Sequence, residues 1–182
     1  MTIAWSAVEE AIVAWAVGAT GLEVVWSKQD MTRRPTTYVE LAATVRTVGR
    51  DWVDTSAAAV PSPGAECDST VRGVRELELT VQCFGGSHRG ATSSQGYLLE
   101  MITKARLPSQ QLLFDAAGWA PAAFEPLQDI SGVIGGSTFE PRARFVCRGF
   151  AASELVETST YIEIVEIEDL TNGETFTVDI TP

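Results

Sequence analysis

The chain has 182 residues, of which 45% are hydrophobic and 20% charged, so it is long enough for one globular domain with its own core. Its formal net charge of −11 argues against binding nucleic-acid phosphates through the general surface. An acidic surface could still line a passage that DNA crosses without binding. Solubility alone is the simpler explanation of this charge. No long apolar run predicts a membrane-spanning helix, and we expect no secretory signal because the N-terminus lacks a basic leader.

The first predicted element is a helix over Thr2–Val17. Thr2 is a suitable N-cap, and Gly18 is a suitable place for the helix to end. Apolar residues recur there at spacings of three and four, which predicts one stripe that docks on the protein's own sheet: Trp5, Val8, Ile12 and Trp15.

Two strands and a long connection are predicted next. Leu22–Gln29 is the first strand, and Tyr38–Val48 is the second. The alternation in the second strand places four residues on one face: Val39, Leu41, Ala43 and Val45. Thr55–Asp68 contains prolines, a glycine and small residues without periodicity, so we predict a flexible loop at about residues 55–68, at the tip of a hairpin.

Arg75–Gly85 alternates between apolar and polar residues and predicts a further strand. A second helix is predicted from a cap at Ser93 or Ser94 to about Arg106, and a short helix at Ser109–Ala117 after the break at Pro108. The apolar stripe of the second helix contains Tyr97, Leu98, Met101, Ile102 and Ala105.

The last part of the chain is predicted to be mostly strand. Gly118–Gly136 is expected to be a loop-rich region with one short strand at Leu127–Ile130. Arg142–Phe150 is a strand with Ala143, Phe145 and Cys147 on one side. Asn172-Gly173 lies between two alternating segments and predicts a C-terminal β-hairpin at about residues 161–180.

The order of helix, strands, helix and strands predicts an α+β fold. We expect a mostly antiparallel sheet or sandwich with two main helices packed on one face. We expect residues 1–182 to form a single domain.

The three cysteines, Cys67, Cys83 and Cys147, are odd in number and lack a CxxC spacing. They therefore indicate neither a disulfide framework nor a zinc site. Cys83 and Cys147 fall in predicted strands, where we expect buried, reduced thiols that act as small hydrophobes, as in a protein assembled in a reducing cytoplasm.

No catalytic constellation is evident, so we predict no catalytic, cofactor-binding or metal-binding residues and no enzyme activity. His88 is the only histidine and is expected to be a solvated loop residue. Neither Gly85-Gly86 nor Gly135-Gly136 has the pattern of a phosphate-binding loop. Four carboxylates fall in predicted strands: Glu76, Glu78, Glu163 and Glu166. They could act as paired acids or bind a metal, although a solvated or ion-paired sheet face is more common. Possible arginine partners across strands are Arg72, Arg75, Arg142, Arg144 and Arg148.

Seven segments, taken in order, resemble the phage neck or tail-terminator proteins, specifically the neck-terminator group. They are VVWSKQ (Val24–Gln29), PTTYVEL (Pro35–Leu41), RELELTVQCFG (Arg75–Gly85), the helix Gln95–Arg106, LQDIS (Leu127–Ser131), EPRARF (Glu140–Phe145) and YIEIVEI (Tyr161–Ile167). They span nearly the whole chain, and the chain departs from the family pattern in a longer C-terminal hairpin.

The resemblance implies a virion structural protein of the tail or neck, assembled in the host cytoplasm. Such a protein forms a homo-oligomeric ring, expected to be a hexamer, at the head-proximal end of the tail tube. The ring ends tube growth and joins the tail to the head connector. The implied partners are other copies of the chain, the tail tube protein and the head–tail connector or adaptor protein, with DNA only passing through the lumen and no membrane involved.

Sheet edges are suited to such ring contacts. We therefore hypothesise that the hairpin Tyr161–Ile180 and the loop Thr55–Asp68 carry contacts between subunits or with the tube. Three alternatives remain open: another head–tail joining or tail-tube-related ring protein, a small hydrolase that uses strand carboxylates, and a binding module of another kind.

Overall fold

The computed structural model describes the backbone of residues 5–27, 34–56, 66–87, 89–134, 138–160, 164–169 and 174–179. It describes side chains in residues 5–27, 34–53, 69–87, 89–133 and 139–156. Thr2, His88, Gly135-Gly136, Glu163 and Asn172-Gly173 therefore lie outside the described residues, and Cys67 and Glu166 are described by their backbone alone.

The described residues form helices and strands in the predicted alternation. The helices are α1 (Trp5–Thr20), α2 (Ser94–Lys104) and α3 (Pro108–Ala116). The strands are β1 (Glu23–Trp26), β2 (Tyr38–Ser56), β3 (Glu66–Phe84), β4 (Trp119–Phe124), β5 (Gln128–Asp129), β6 (Gly132–Ile134), β7 (Thr138–Glu140), β8 (Arg142–Thr160), β9 (Ile164–Asp169) and β10 (Glu174–Asp179).

The main sheet has the strand order β1-β2-β3-β8-β4, and β5 also pairs with β8. β1 runs parallel to β2, whereas β4 and β5 run antiparallel to β8. Contacts between β3 and β8 join Arg72 to Glu154 and Glu78 to Arg148, so the two strands run in opposite directions. Two further antiparallel pairs, β6–β7 and β9–β10, form separate two-stranded sheets. The predicted α+β fold with a mostly antiparallel sheet is confirmed.

The chain divides into two compact units. The larger unit comprises Thr2–Arg50 and Gly73–Ser153, and the smaller comprises Asp51–Arg72 and Glu154–Pro182, together with Met1. The three long strands β2, β3 and β8 contribute residues to both units. The expectation of a single domain over residues 1–182 stays a prediction.

The core of the larger unit forms where the helices meet one face of the sheet. Alternate residues of β3 and β8 are buried, and they join the buried residues of α1, α2 and α3 in one cluster. Trp15 is at its centre, with its ring edge-to-face to Phe114 at 5.5 Å between centroids, and its Nε1–H donates to the Met101 carbonyl oxygen at 3.1 Å. The predicted docking of the α1 stripe on the protein's own core is confirmed.

Helix α1 ends at Thr20, so the prediction that it ends at Gly18 was wrong. Gly21 ends it instead: its φ of 67° is the left-handed conformation that glycine adopts readily, and its N–H donates to the Val17 carbonyl oxygen at 2.8 Å. Gly18 lies inside the helix with open space around it, where a glycine is tolerated at a modest cost.

The predicted start of α2 is confirmed. Ser93 Oγ accepts from the Gly96 N–H at 3.0 Å and donates to the Gly90 carbonyl oxygen at 2.7 Å, so the cap also fixes the preceding turn. α3 begins at Pro108 rather than after it, because a proline fits the first helical position, where its missing N–H has no intrahelical partner.

The prediction that Ala43 and Val45 share a buried face with Val39 and Leu41 was wrong. Burial along β2 ends at Leu41, and every described side chain from Ala43 to Val53 is exposed. The strand nevertheless continues to Ser56, and β3 begins at Glu66. Both ends of the predicted 55–68 loop are therefore strand, and residues 57–65 lie outside the described residues.

Strand β4 was missed, because Gly118–Gly136 was expected to contain only one short strand. Pro121 lowers the strand propensity of this segment, and the structure accommodates it with a register shift against β8 between Pro121 and Ala123. Burial of Trp119, edge-to-face with Phe114 at 5.1 Å, holds the strand in place. The predicted short strand corresponds to β5, and β8 extends ten residues beyond Phe150, to Thr160.

Close packing at Gly149 gives a first prediction. A methyl group there would lie 2.7 Å from the Ala120 carbonyl oxygen and would also overlap the Trp119 indole. We expect Gly149→Ala to lower the free energy of unfolding by about 1–3 kcal/mol, as overpacking does. Gly132→Ala, also in a strand but with nothing within 4 Å of the added atom, is the control and should change it by less than about 0.5 kcal/mol. Equal effects of the two substitutions in urea denaturation would contradict this packing.

The buried thiols give a second prediction. Burial raises the pKa of Cys83 and Cys147 from 9.0 to about 12, because it disfavours the charged thiolates. The stability that comes from burying neutral thiols is therefore fully present below pH 9 and is lost as pH rises toward 12. The unfolding free energy of the native chain should fall by about 2–3 kcal/mol more between pH 8 and pH 10 than that of Cys83→Ala/Cys147→Ala. Parallel declines for the two proteins would contradict the burial of the thiols.

Candidate assembly surface

Large apolar side chains are exposed in both units, and four of them lie on two strands of the smaller unit. Trp52 and Val53 in β2 are 49% and 63% exposed, and Leu155 and Val156 in β8 are 57% and 45% exposed. Both strands neighbour β3 in the sheet. We call these four residues the strand-end surface.

The strand-end surface includes both faces of the sheet. Consecutive residues of a strand point to opposite faces, so two exposed neighbours mean that neither face is covered at that point. Leu155 and Val156 are such neighbours, and Trp52 and Val53 are another pair. A partner that covered this part of the sheet would bury these apolar side chains.

An ion pair flanks this surface. Arg72 Nε and Nη2 lie 3.2 Å and 3.1 Å from Glu154 Oε1, across β3 and β8. Both side chains are about half exposed, so solvent screening leaves the pair little net stabilising energy in the isolated chain. Glu154 and Val156 are two residues apart and share a face, so a partner that covers Val156 would also desolvate the charges beside it.

The smaller unit also contains the β9–β10 hairpin. Its register joins Val165 to Val178 and Ile167 to Phe176, whereas the pair between them joins Glu166 to Thr177. Apolar and polar register pairs therefore alternate along the hairpin. The contacts that we hypothesised for this hairpin and for the 55–68 loop stay predictions.

In the larger unit, the carboxylate of Glu78 is engaged by arginines. Glu78 Oε2 lies 3.2 Å from Arg148 Nε and 3.7 Å from Arg46 Nη2, and Arg148 Nη2 also lies 2.7 Å from Glu125 Oε1. The hydrogen bond to Glu78, followed by the charge of Glu125, raises the pKa of Arg148. The prediction of an ion-paired sheet face is confirmed for Glu78.

Of the four carboxylates singled out in the sequence, Glu76 and Glu78 lie two residues apart on β3 in the larger unit, and the side chains of Glu163 and Glu166 lie outside the described ones. Glu78 lies between arginines of β2 and β8, and this geometry favours an electrostatic link between strands.

The predicted arginine partners pair in different ways. Arg72 and Arg148 bind carboxylates across strands, and Arg142 forms an ion pair with Glu140 two residues away. Arg144 Nη2 donates to Gln128 Oε1 at 2.7 Å, and Arg75 Nη1 donates to the Val74 carbonyl oxygen at 3.3 Å. The contacts of Arg72, Arg148 and Arg144 join neighbouring strands, whereas those of Arg142 and Arg75 are local in the chain.

The two glycines after β3 act as a chain turn. Gly85 and Gly86 have φ values of 82° and 91°, and the Gly85 N–H donates to the Pro141 carbonyl oxygen at 2.9 Å. They lead into the loop before α2, and Cys83, just ahead of them, is buried.

Among residues with described side chains, no group of three or more histidine, cysteine, aspartate or glutamate residues is placed to hold a metal ion. Within the described part of the chain, no helix is both long and apolar enough to cross a membrane.

Comparison with known proteins yields no relative from which a function can be transferred. No protein-family model matches the chain. A search of curated proteins likewise returned no match.

The strand-end surface was missed in the sequence, although a signal for it exists. Trp52-Val53 and Leu155-Val156 are adjacent apolar pairs that interrupt the alternation of their strands. Leu155-Val156 was not singled out because it lies beyond Phe150, the predicted end of its strand.

The strand-end surface gives a third prediction. Val53→Lys with Val156→Lys should leave the isolated chain folded, because both side chains are already exposed. Self-association should weaken by about tenfold or more, because the two ammonium groups would have to be desolvated in the contact. Sedimentation velocity over a concentration series measures this effect.

The matched control is Val45→Lys with Val48→Lys. These residues of β2 are 44% and 39% exposed, belong to the larger unit and add the same charge. If both double variants associate as the native chain does, the strand-end surface is not an assembly contact.

Proposed function

We propose that this chain is a structural subunit of a phage neck, a tail terminator that forms a homo-oligomeric ring at the head-proximal end of the tail tube. In this function it ends tube growth and joins the tail to the head connector. The chain works by contacts with copies of itself and with neighbouring virion proteins.

The strand-end surface is the observation that carries the assembly part of the proposal. Apolar residues exposed on both faces of β2 and β8 cost free energy in water, and that cost is removed when another subunit covers them. Their area lies on strands rather than on a helix, so strand pairing and side-chain burial can contribute together.

The virion part of the proposal rests on the resemblance in the order of segments. The fold agrees with what that resemblance implies, an α/β domain with helices on one face of a sheet. VVWSKQ begins within β1, RELELTVQCFG lies in β3 and the turn after it, and EPRARF leads into β8. A shared fold alone would not support the function, which is why the test must detect the ring itself.

Ring closure requires that one patch of a subunit meets a different patch on the next. The described strands offer two such edges. β1 pairs with Tyr38–Leu41 of β2, and the pairing of β4 with β8 ends at Ala151. Beyond Leu41, β2 has β3 as its only described strand neighbour, and the same holds for β8 beyond Ala151. In the proposed ring, the β2 edge at Asp51–Ser56 of one copy meets the β8 edge at Glu154–Thr160 of the next, and the acidic lumen lets DNA pass without binding.

Negative-stain microscopy and native mass measurement of the purified chain test this proposal. We expect closed rings with a central hole, expected to be hexameric, that bind one end of isolated tail tubes. A ring that never binds a tube end would favour another head–tail joining component. A chain that stays monomeric at high concentration, with or without tubes, would contradict the proposal.

A further inference from the structure

A groove runs between α1 and the open edge of β2. It consists of two adjoining hollows of about 550 and 470 Å³, and both are lined by Glu9 and Trp26. One hollow continues to Trp5 and to Leu41–Thr44 of β2, and the other continues along α1 to Val17. We call this the α1–β2 groove; all of these residues belong to the larger unit.

The backbone along one side of the groove is ready to pair with a strand. β1 pairs with β2 up to Trp26 and Leu41, and the next residue, Ser27, donates its N–H to the Leu41 carbonyl oxygen at 2.7 Å. Backbone groups of alternate residues point to the same edge, so those of Ala43 and Val45 face the side that β1 has left. No described strand pairs with β2 on that side.

The side chains of the groove favour a particular kind of occupant. Two indoles, Trp5 and Trp26, offer apolar and aromatic surface, and Val13 and Val17 extend it along α1. Glu9 and Glu10 supply negative charge, and none of the lining residues that the structure describes is a lysine or arginine. A cation over an indole face is also favourable, so the groove is complementary to lysine and arginine rather than to acidic segments.

We propose that the α1–β2 groove binds an extended, basic segment of a different protein, which adds to the sheet in line with β1. Its backbone pairs with Ala43 and Val45, its apolar residues pack on Trp5 and Trp26, and its lysine or arginine residues approach Glu9 and Glu10. The inference does not depend on ring formation, since the strand-end surface lies in the other unit.

A fluorescein-labelled peptide of about eight residues that alternates lysine and valine is a suitable probe, since that length matches a strand. Binding to the full chain is measured by fluorescence anisotropy at low ionic strength. Two peptides of the same length test its chemistry. One alternates glutamate with valine, and the other has N-methyl groups on alternate backbone nitrogens, which remove the hydrogen bonds of a strand ladder but keep the charge. We expect the lysine–valine peptide to bind and neither of the others to do so.

Variants locate the site. Glu9→Gln with Glu10→Gln should weaken binding by about fivefold, because two partly exposed charge pairs are lost. Glu100→Gln with Asp115→Asn removes the same charge from α2 and α3 and should leave the affinity unchanged. Ala43→Pro removes one N–H from the open edge while leaving the ladder to β3, so it should abolish binding in a folded chain.

The proposal is overturned if the lysine–valine peptide fails to bind the native chain, or if the N-methylated peptide binds equally well. It is also overturned if the Glu9→Gln/Glu10→Gln variant binds as the native chain does, a result that does not require Ala43→Pro to fold.

Discussion

The length of three strands is the constraint on which the rest of the structure depends. β2, β3 and β8 each have 19 residues, whereas strands in globular proteins usually have about 3–10. Among the described side chains, burial follows β2 and β8 over only part of their length. Burial stops at Leu41 in β2 and at Ala151 in β8, and beyond these residues the strands expose apolar side chains.

This constraint separates two roles along the same strands. Where the helices cover the sheet, Trp15 contacts aromatic rings from α3, β4 and β8, and the buried cluster supplies the stability of the fold. Beyond Arg50 and Ser153, pairing between strands continues, and none of the side chains described in the smaller unit is buried. A protein gains no stability of its own from an exposed Trp52 or Leu155, so these residues are better explained by a contact with another subunit.

Periodicity predicted the elements whose neighbours are local. The α1 stripe, the Ser93 cap and the buried faces of β3 and β8 could all be predicted, because helix and strand spacing alone decides which residues point inward. Gly18 and Gly21 could not be told apart, since either residue can end a helix and the choice depends on how the chain must turn to enter β1. β4 was missed because burial of Trp119 outweighs the low strand propensity around Pro121. The exposure of Ala43 and Val45 depends on where β1 ends, and no local sequence pattern encodes that position.

Hydrogen exchange across an assembly series tests the central claim most directly, that the uncovered strand ends become covered when copies of the chain meet. Amides in the β2 and β8 segments of the smaller unit, Asp51–Ser56 and Glu154–Thr160, would be compared in dilute, monomeric chain and in the concentrated, assembled state. The account predicts slower exchange in both segments on assembly, while the core strand around Leu77 and Leu79 exchanges equally slowly in the two states. Assembly without any new protection at these strand ends would contradict it.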